Sequence, residues 1–402
     1  MVEIWFPYGT SEVPVRIQDE RLLDILQPRD IKLQPTLDLE HVITQEAIAQ
    51  AKNAEQICIV PGCSRKKGMI LDMTKLLIAS FVNAGISLSK VTLLRTPQSD
   101  PIEAPSEVSV IHHSPVKSET TAIHGYSGDF MPTISRVAAE SKMIIAIGEL
   151  TLNHFTGYAG LCDLIFPGLA SEASARQELI RNRPMEPHDL HKERLAISSC
   201  LRNIHAVGFV LKSDKSVADM VSGSFNETVT RLINVVDHVS TIEARKPAEI
   251  VVMSAGGAPL DESLLRAVET FPAGLSVLKR NGVLIVAAEC AHGHGGTDFY
   301  SWANEHKEAR HLESRLRRRF NYYGWKAAYL LRALANHRIY LVSTIPDFYV
   351  EHTFGLRAAK TMNGALQSAQ RALGADSSVT AIPDASQTIP RIPPETTATV
   401  TS

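Results

Sequence analysis

The strongest constraint on the fold is a set of short, unbroken apolar runs, each closing in a turn: QICIVPG (56–62), KMIIAIG (142–148), EIVVMSAGG (249–257) and GVLIVAAEC (282–290). A strand with one face in water alternates polar and apolar residues, whereas a strand buried on both faces does not. VTLLR (91–95), IHAVGFVL (204–211) and NHRIYLVS (336–343) repeat the pattern. Between such runs lie stretches of helical spacing, such as MILDMTKLLIASFVNAG (69–85) and LDESLLRAVETF (260–271), the latter with Asp261 placed to cap it. Strand–helix alternation of this kind predicts an α/β fold with mainly parallel sheets covered on both faces. A length of 402 residues predicts two such domains, with a cleft between them. The charged, proline-containing stretch IEARKPAE (242–249) marks the boundary. The expected division is 1–245 and 246–392, with PPETTATVTS (393–402) as a disordered tail.

A net charge of −2 argues against a polyanion partner, so no nucleic acid is expected. The basic cluster RLRRRF (315–320) reads as a solvated helix face or an interface. No run of apolar residues is long enough for a membrane span, and MVEIWFPYGT lacks the features of a secretion signal. Five scattered cysteines (Cys58, Cys63, Cys162, Cys200 and Cys290) fit a reduced, cytoplasmic protein. The sequence leaves the oligomeric state open.

In α/β sheets ligands bind beyond the carboxyl ends of the strands. Five segments rich in glycine or polar residues fall there: PGCSRKK (61–67), HHSP (112–115), NHFTGYAGLCDLIFPG (153–168), SAGGAPLD (254–261) and ECAHGHGG (289–296). In the first, Ser64, Arg65 and Lys66 precede a helix and suit a phosphate or carboxylate. In the second and third, His113 and His154 each follow a strand; two imidazoles converging on one cleft have the chemistry of a base–acid pair near neutral pH, while either alone reads as an ordinary surface or core histidine. Gly157, Gly160, Gly256 and Gly257 allow backbone to approach a ligand, or make plain tight turns. His292 and His294 form a His-x-His pair without a third ligand nearby. Cys162, beside His154, has the chemistry of a nucleophile.

Taken in order, these segments resemble the nickel-pincer lactate racemases and their homologues. The resemblance runs from PYG and VPVRIQDERLLDILQP to IPDASQTIPRI, and is most specific at HFTGYAGLCDLIFPG, SAGGAPLD and AECAHGHGG with FYSW. It implies a pyridinium mononucleotide whose two sulfur arms hold nickel, bound in a cleft between two α/β domains. It also implies a small 2-hydroxy acid as substrate. The substrate hydroxyl proton goes to one histidine while its Cα hydride goes to the ring. His113 and His154 match the two histidines, with His112 adjacent to the first. Ser64, Arg65, Gly157, Gly160, Gly256 and Gly257 match cofactor-facing positions.

Several positions depart from the family pattern. Gly62 stands where an acid is expected. Asp163 replaces the lysine that tethers the cofactor, and a carboxylate cannot form that link. Arg183 follows Asn182 where the nickel-binding histidine is expected, leaving His188 and His191 as candidate ligands. Arg266 and Glu269 replace a glutamine and a lysine. The resulting expectation is a racemase or epimerase of a 2-hydroxy acid, holding its nickel-pincer nucleotide noncovalently. Two alternatives are a catalytically degenerate homologue that binds a ligand or nucleotide, and a different reaction in the same cleft.

Overall fold

The computed structural model describes residues 1–30, 43–182, 190–305 and 308–393. These residues form two compact units. One holds Met1–Arg29 together with the chain from Ser240 onward, and the other holds the described residues from Asp30 to Val239. The sequence places the boundary near residue 245. The expected 1–245 domain is nevertheless corrected at its start, because residues 1–29 pack with the C-terminal half. Apart from Pro393, the expected disordered tail lies outside the described residues.

The N-terminal segment makes an antiparallel hairpin, β1 (Val2–Tyr8) and β2 (Ser11–Ile17), followed by β3 (Leu22–Ile25). The middle unit then opens with α1 (Gln45–Asn53), β4 (Ile57–Pro61), α2 (Met69–Asn83), β5 (Val91–Arg95) and β6 (Ser109–His112). A small hairpin, β7 (Thr120–Ala122) and β8 (Thr133–Ser135), leads through α3 (Arg136–Glu140) to β9 (Met143–Asn153) and β10 (Gly157–Gly160). After α4 (Glu172–Asn182) and α5 (His191–Ser198) come β11 (Ile204–Leu211), β12 (Val217–Ser224) and α6 (Phe225–Ser240). The sheet order is β12-β11-β9-β4-β5-β6. Strands β11, β9, β4, β5 and β6 run parallel, while β12 and β10 pair antiparallel with β11 and β9.

Successive side chains of this sheet point to opposite faces, and both faces are apolar. Ile57, Ile59, Ile145, Ile147, Val207 and Phe209 pack against Ile70, Met73, Leu77 and Phe81 of α2. Burying one such side chain contributes about 1.5–3 kcal/mol. The opposite face, with Val60, Ala146, Ala206 and Val210, is covered by Val229, Leu232 and Val236 of α6 and by Leu161, Ile165 and Phe166. The segment after His154 is therefore part of the core. Its first residues also differ from the loop expected there, since β9 runs on to Asn153 and turns back into β10.

The other unit continues with β13 (Thr241–Glu243), β14 (Ala248–Ser254), α7 (Leu264–Ala267), α8 (Phe271–Ser276) and β15 (Leu278–Ala287). Helices α9 (Thr297–Glu305), α10 (Ala309–Arg318) and α11 (Tyr322–Asn336) precede β16 (Arg338–Val342) and β17 (Arg357–Ala359). The chain ends with α12 (Met362–Leu373), β18 (Val379–Ile382) and β19 (Ile389–Arg391). The main sheet, ordered β17-β16-β15-β14-β18-β3, is parallel throughout. Strand β3 explains why the N-terminus belongs here: it adds an edge strand beside β18, and Ile4, Phe6, Val15 and Ile17 of the hairpin join the core under β14 and β15. LDESLLRAVETF is not one helix. A 3-10 turn at Val268–Thr270 separates α7 from α8, and Ser263, not Asp261, caps α7.

Among the described residues no helix is long and apolar enough to cross a membrane. None of the five cysteines forms a disulfide. In the basic cluster, Arg315 stacks on Trp302 at 4.2 Å and pairs with Glu305.

Candidate active site

At the carboxyl edge of the middle unit's sheet, the loop after β4 wraps around Glu149, a carboxylate only 1% exposed on β9. Ser64 Oγ and the Arg65 amide donate to its Oε2 at 3.0 and 2.8 Å, and Arg65 Nε donates to Oε1 at 2.6 Å. A second guanidinium nitrogen of Arg65 donates to the Leu211 carbonyl at 2.8 Å. The Ser64 amide also donates to Asp100, whose pKa burial raises. Ser64 and Arg65 thus turn inward onto protein carboxylates, while Lys66 and Lys67 stay exposed at the start of α2. Gly62 packs under Leu164, and its carbonyl accepts from the Asp100 amide. Glu149 was not foreseen, although a lone acid closing IIAIGE is unusual enough to flag it.

His113 directly follows β6. Its amide donates to the Arg95 carbonyl, and its ring is buried with Nε2 3.0 Å from the Ala170 carbonyl. A carbonyl accepts only, so Nε2 carries the proton and Nδ1 bears a lone pair. That Nδ1 is buried and has no hydrogen-bond partner among the described residues. Burial lowers the His113 pKa, partly offset by the Ala170 bond. The imidazole is therefore neutral and basic at Nδ1 near neutral pH. His112 points the other way and is exposed, as the period of a strand requires.

His154 sits in the tight β9–β10 turn, half-buried, where Asn153 Oδ1 accepts from the amides of Phe155 and Thr156 at 2.9 and 3.0 Å. Gly157 and Gly160 both have positive φ, at 88° and 79°. A side chain at Gly160 would overlap the Glu149 carbonyl, so this glycine serves the turn itself. His113 and His154 lie at the same sheet edge, on β6 and β9, three strand positions apart. That is about 14 Å across the sheet, and the strand register sets His113 level with Gly148, so His154 lies about six residues, roughly 20 Å, further along the strand direction.

Asp163 lies in the 3-10 turn after β10 and is held by charge. Arg194 on α5 donates to its Oδ1 at 2.9 Å and grips Glu178 on α4 through two bonds of 2.7 and 3.1 Å. Arg194 and Glu178 are 6% and 1% exposed, and Asp163 27%. Burial alone would lower the Arg194 pKa, but Asp163 and Glu178 outweigh it and raise it. Burial raises Glu178 against the pull of Arg194. Cys162 is fully buried and donates to Asp163 at 3.3 Å. Burial and then Asp163 push its pKa well up, so its thiol stays protonated and is no nucleophile. His191 is buried with its ring edge-on to Tyr158 at 4.8 Å. Arg183 and His188 lie outside the described residues. Arg194 carried no signal in sequence, since HKERLAIS reads as an ordinary amphipathic helix, and Glu178 is one charge among several in EASARQELIRN.

In the other unit, the loop after β14 receives the β1–β2 turn. The Gly9 carbonyl accepts from Ala258, and the Gly9 amide donates to Asp261 Oδ2 at 2.7 Å, which also accepts from Glu289. Gly256 and Gly257 have φ of 106° and 70°. The space beside them is taken by Ser386 and Asp384, and by Gly9 and Pro7. Both glycines therefore admit the protein's own chain. Arg266 donates to the Pro259 carbonyl at 2.7 Å. Glu269 pairs with Lys326 on α11, a lysine 1% exposed that lies 4.2 Å over the Tyr322 ring. Burial, then the Arg266 charge, push the Lys326 pKa well down. His292 approaches Glu262 at 3.8 Å, and His294 bonds the Gly296 carbonyl.

Among the described residues no cluster of three His, Cys, Asp or Glu is arranged to hold a metal. A cavity of about 480 Å³, lined by Gln50, His205 and Phe225 among others, lies at the amino ends of β11 and α6, opposite the histidines.

Residues 243–389 match the family model "Lactate racemase C-terminal domain". The whole chain is similar to a lactate racemase from Thermoanaerobacterium thermosaccharolyticum, 26% identical over 97% of this chain and 100% of that one. The chain thus resembles lactate racemases along nearly its whole length, and its C-terminal part matches their family model. A second similar protein, the lactate racemase of Lactiplantibacillus plantarum, is 26% identical over 62% of each chain. The fold matches the lactate racemase apoprotein from T. thermosaccharolyticum with a TM-score of 0.84 at 24% identity, covering 97% of this chain and 100% of that one. A Thermotoga maritima protein shares the fold at a TM-score of 0.60 and 11% identity, covering 89% and 99%.

The family's nucleotide can be tested against these residues. Covalent attachment does not fit: position 163 holds a carboxylate already committed to Arg194. What the residues offer a noncovalent nucleotide is confined to the start of α2, since Ser64 and Arg65 are taken up by Glu149. No side chain caps α2, whose N-cap is Gly68, and the adjacent Lys66 and Lys67 add exposed positive charge for a phosphate.

Proposed function

We propose that this chain is a racemase or epimerase of a 2-hydroxy acid, with His113 and His154 as its paired acid–base groups and a nickel-pincer nucleotide held noncovalently. The observation that carries the reading is His113. Its Nε2–H is committed to Ala170, which leaves a bare, buried Nδ1 at the sheet edge where ligands of α/β proteins bind. In one direction His113 Nδ1 takes the substrate hydroxyl proton, and for the other configuration His154 does so from a different strand. The start of α2 with Lys66 and Lys67 holds the nucleotide phosphate, while Ser64 and Arg65 shape the loop by anchoring it on Glu149. When bound, the nickel-bearing ring supplies a hydride acceptor for the substrate Cα.

The test is to incubate nickel- and cofactor-loaded protein with single enantiomers of 2-hydroxy acids deuterated at Cα. The expected result is appearance of the opposite configuration with the deuterium retained. His113→Asn is expected to lower the rate at least about 100-fold. No interconversion of any 2-hydroxy acid would refute the proposal.

The second reading, a homologue that binds without turnover, has its own support in the committed side chains of Arg65 and Asp163. Tight nucleotide binding together with absent epimerisation would favour it.

A further inference from the structure

The segment from His154 to Ala170 links the two histidines. It begins with His154, packs Leu161, Ile165 and Phe166 into the core, and ends at the carbonyl that holds the His113 ring. Hydrogen bonds joined by short stretches of backbone cross it. Arg194 donates to the Asp163 carboxylate at 2.9 Å. The Asp163 carbonyl accepts from the Gly168 amide at 2.7 Å, and the Pro167 carbonyl accepts from the Ala170 amide at 3.0 Å. The Ala170 carbonyl then meets His113 Nε2 at 3.0 Å.

We propose that Arg194 is a positioning residue for the reaction: by gripping Asp163 against Glu178 it fixes the Ala170 carbonyl, and through it the tautomer and orientation of His113. The inference rests on the reading of His113 as the base, and assigns the task to a residue that touches neither histidine.

The chemistry singles out arginine. Its planar fork reaches two carboxylates at once, one on α4 and one in the loop, and it keeps its charge when buried. An ammonium has no such fork, so a lysine here would hold one carboxylate and release the other. The clamp also anchors the loop at the position where relatives are expected to carry a covalent link.

The experiment follows histidine ring nitrogens by ¹⁵N NMR in the full chain, without substrate or cofactor, with His113 assigned by comparison with His113→Asn. Wild type is expected to show His113 as the single Nε2–H tautomer. Asp163→Asn removes the charge but keeps the volume at the clamp's most exposed arm. It is expected to give a mixture of His113 tautomers, and a kcat at least about 10-fold lower with KM nearly unchanged. Arg194→Lys is expected to give the same mixture, because charge without the fork does not restore the grip. If Asp163→Asn fails to fold, Glu178→Gln and Arg194→Lys carry the same test. An unchanged His113 signature in folded clamp variants would overturn the proposal, whatever their melting temperature. Because the NMR readout needs no turnover, absence of epimerisation would count against the proposed function and against a role in that reaction, whereas a changed His113 tautomer would still show that the clamp sets the ring.

Discussion

Arg194 in one unit and Lys326 in the other are both buried cations set against an acid at a position where the family pattern carries lysine. Asp163 finds its partner 31 residues later, and Glu269 finds its partner 57 residues later. In each place the acid is met by a cation from another element. The surroundings differ. Arg194 faces two carboxylates, and their fields outweigh its burial. Lys326 faces one carboxylate with Arg266 nearby, and burial wins. A guanidinium surrounded by acids is a permanent tie, whereas an ammonium in apolar surroundings is pushed toward its neutral form.

This contrast breaks first at Arg194. Arg194→Met leaves Glu178, almost fully buried, and Asp163 facing each other without a cation. Removing one partner of a buried pair costs about 3–5 kcal/mol. Urea denaturation at pH 7 is expected to show a loss of that size. A loss under about 1 kcal/mol would mean that the carboxylates rehydrate without it, and the clamp would not be rigid.

The strand cores were legible because a strand buried on both faces leaves an unmistakable apolar run. Strands of mixed composition were not. VADMVSGS forms β12, and GYAG forms β10, because partner strands supply the order that local propensity lacks. The N-terminal hairpin's allegiance was also hidden, since it depends on Gly9 bonding Asp261 across 252 residues. That same bond explains the misread helix start: Asp261 resembles a cap in sequence, but it is buried in tertiary bonds. The placement of His113 and His154 at strand ends was readable from pattern. The commitment of Arg65 to Glu149 and of Asp163 to Arg194 was not, because neither partner lies near in sequence.

At Lys326 the expected effect is smaller. Lys326→Met replaces a buried ammonium by an apolar chain of similar length, while the partly exposed Glu269 is left with water in reach. Burial already opposes the ammonium, and the acid left behind keeps water in reach, so the loss is smaller than where the orphaned carboxylate is fully buried. The expected change at pH 7 is within about 1 kcal/mol, against the much larger loss at Arg194, and equal losses at both sites would undo the comparison. The pH dependence separates them further. Burial puts the Lys326 pKa below its unfolded value, so between the two values the unfolded chain binds more protons and stability rises with pH. Lys326→Met is expected to remove that rise.

His113 extends the same logic to the acid side, with the smallest effect. Burial holds its folded pKa below the ordinary histidine value of 6.5. Above 6.5 the ring is neutral in both states and adds no slope. As pH falls from there toward the folded value, the unfolded chain takes up a proton that the native ring refuses, so stability drops. One proton limits the slope to about 1.4 kcal/mol per pH unit. Below the folded value both states are protonated and the loss levels off. Denaturation measured across this range should show a shallower acid-side decline in His113→Asn than in wild type. An unchanged decline would place the ring in water. A base buried as His113 is also keeps Nδ1 unprotonated at a pH where an exposed histidine is already charged. The acid limb of kcat/KM should therefore fall below 6.5, and a limb above 6.5 would assign it to another group.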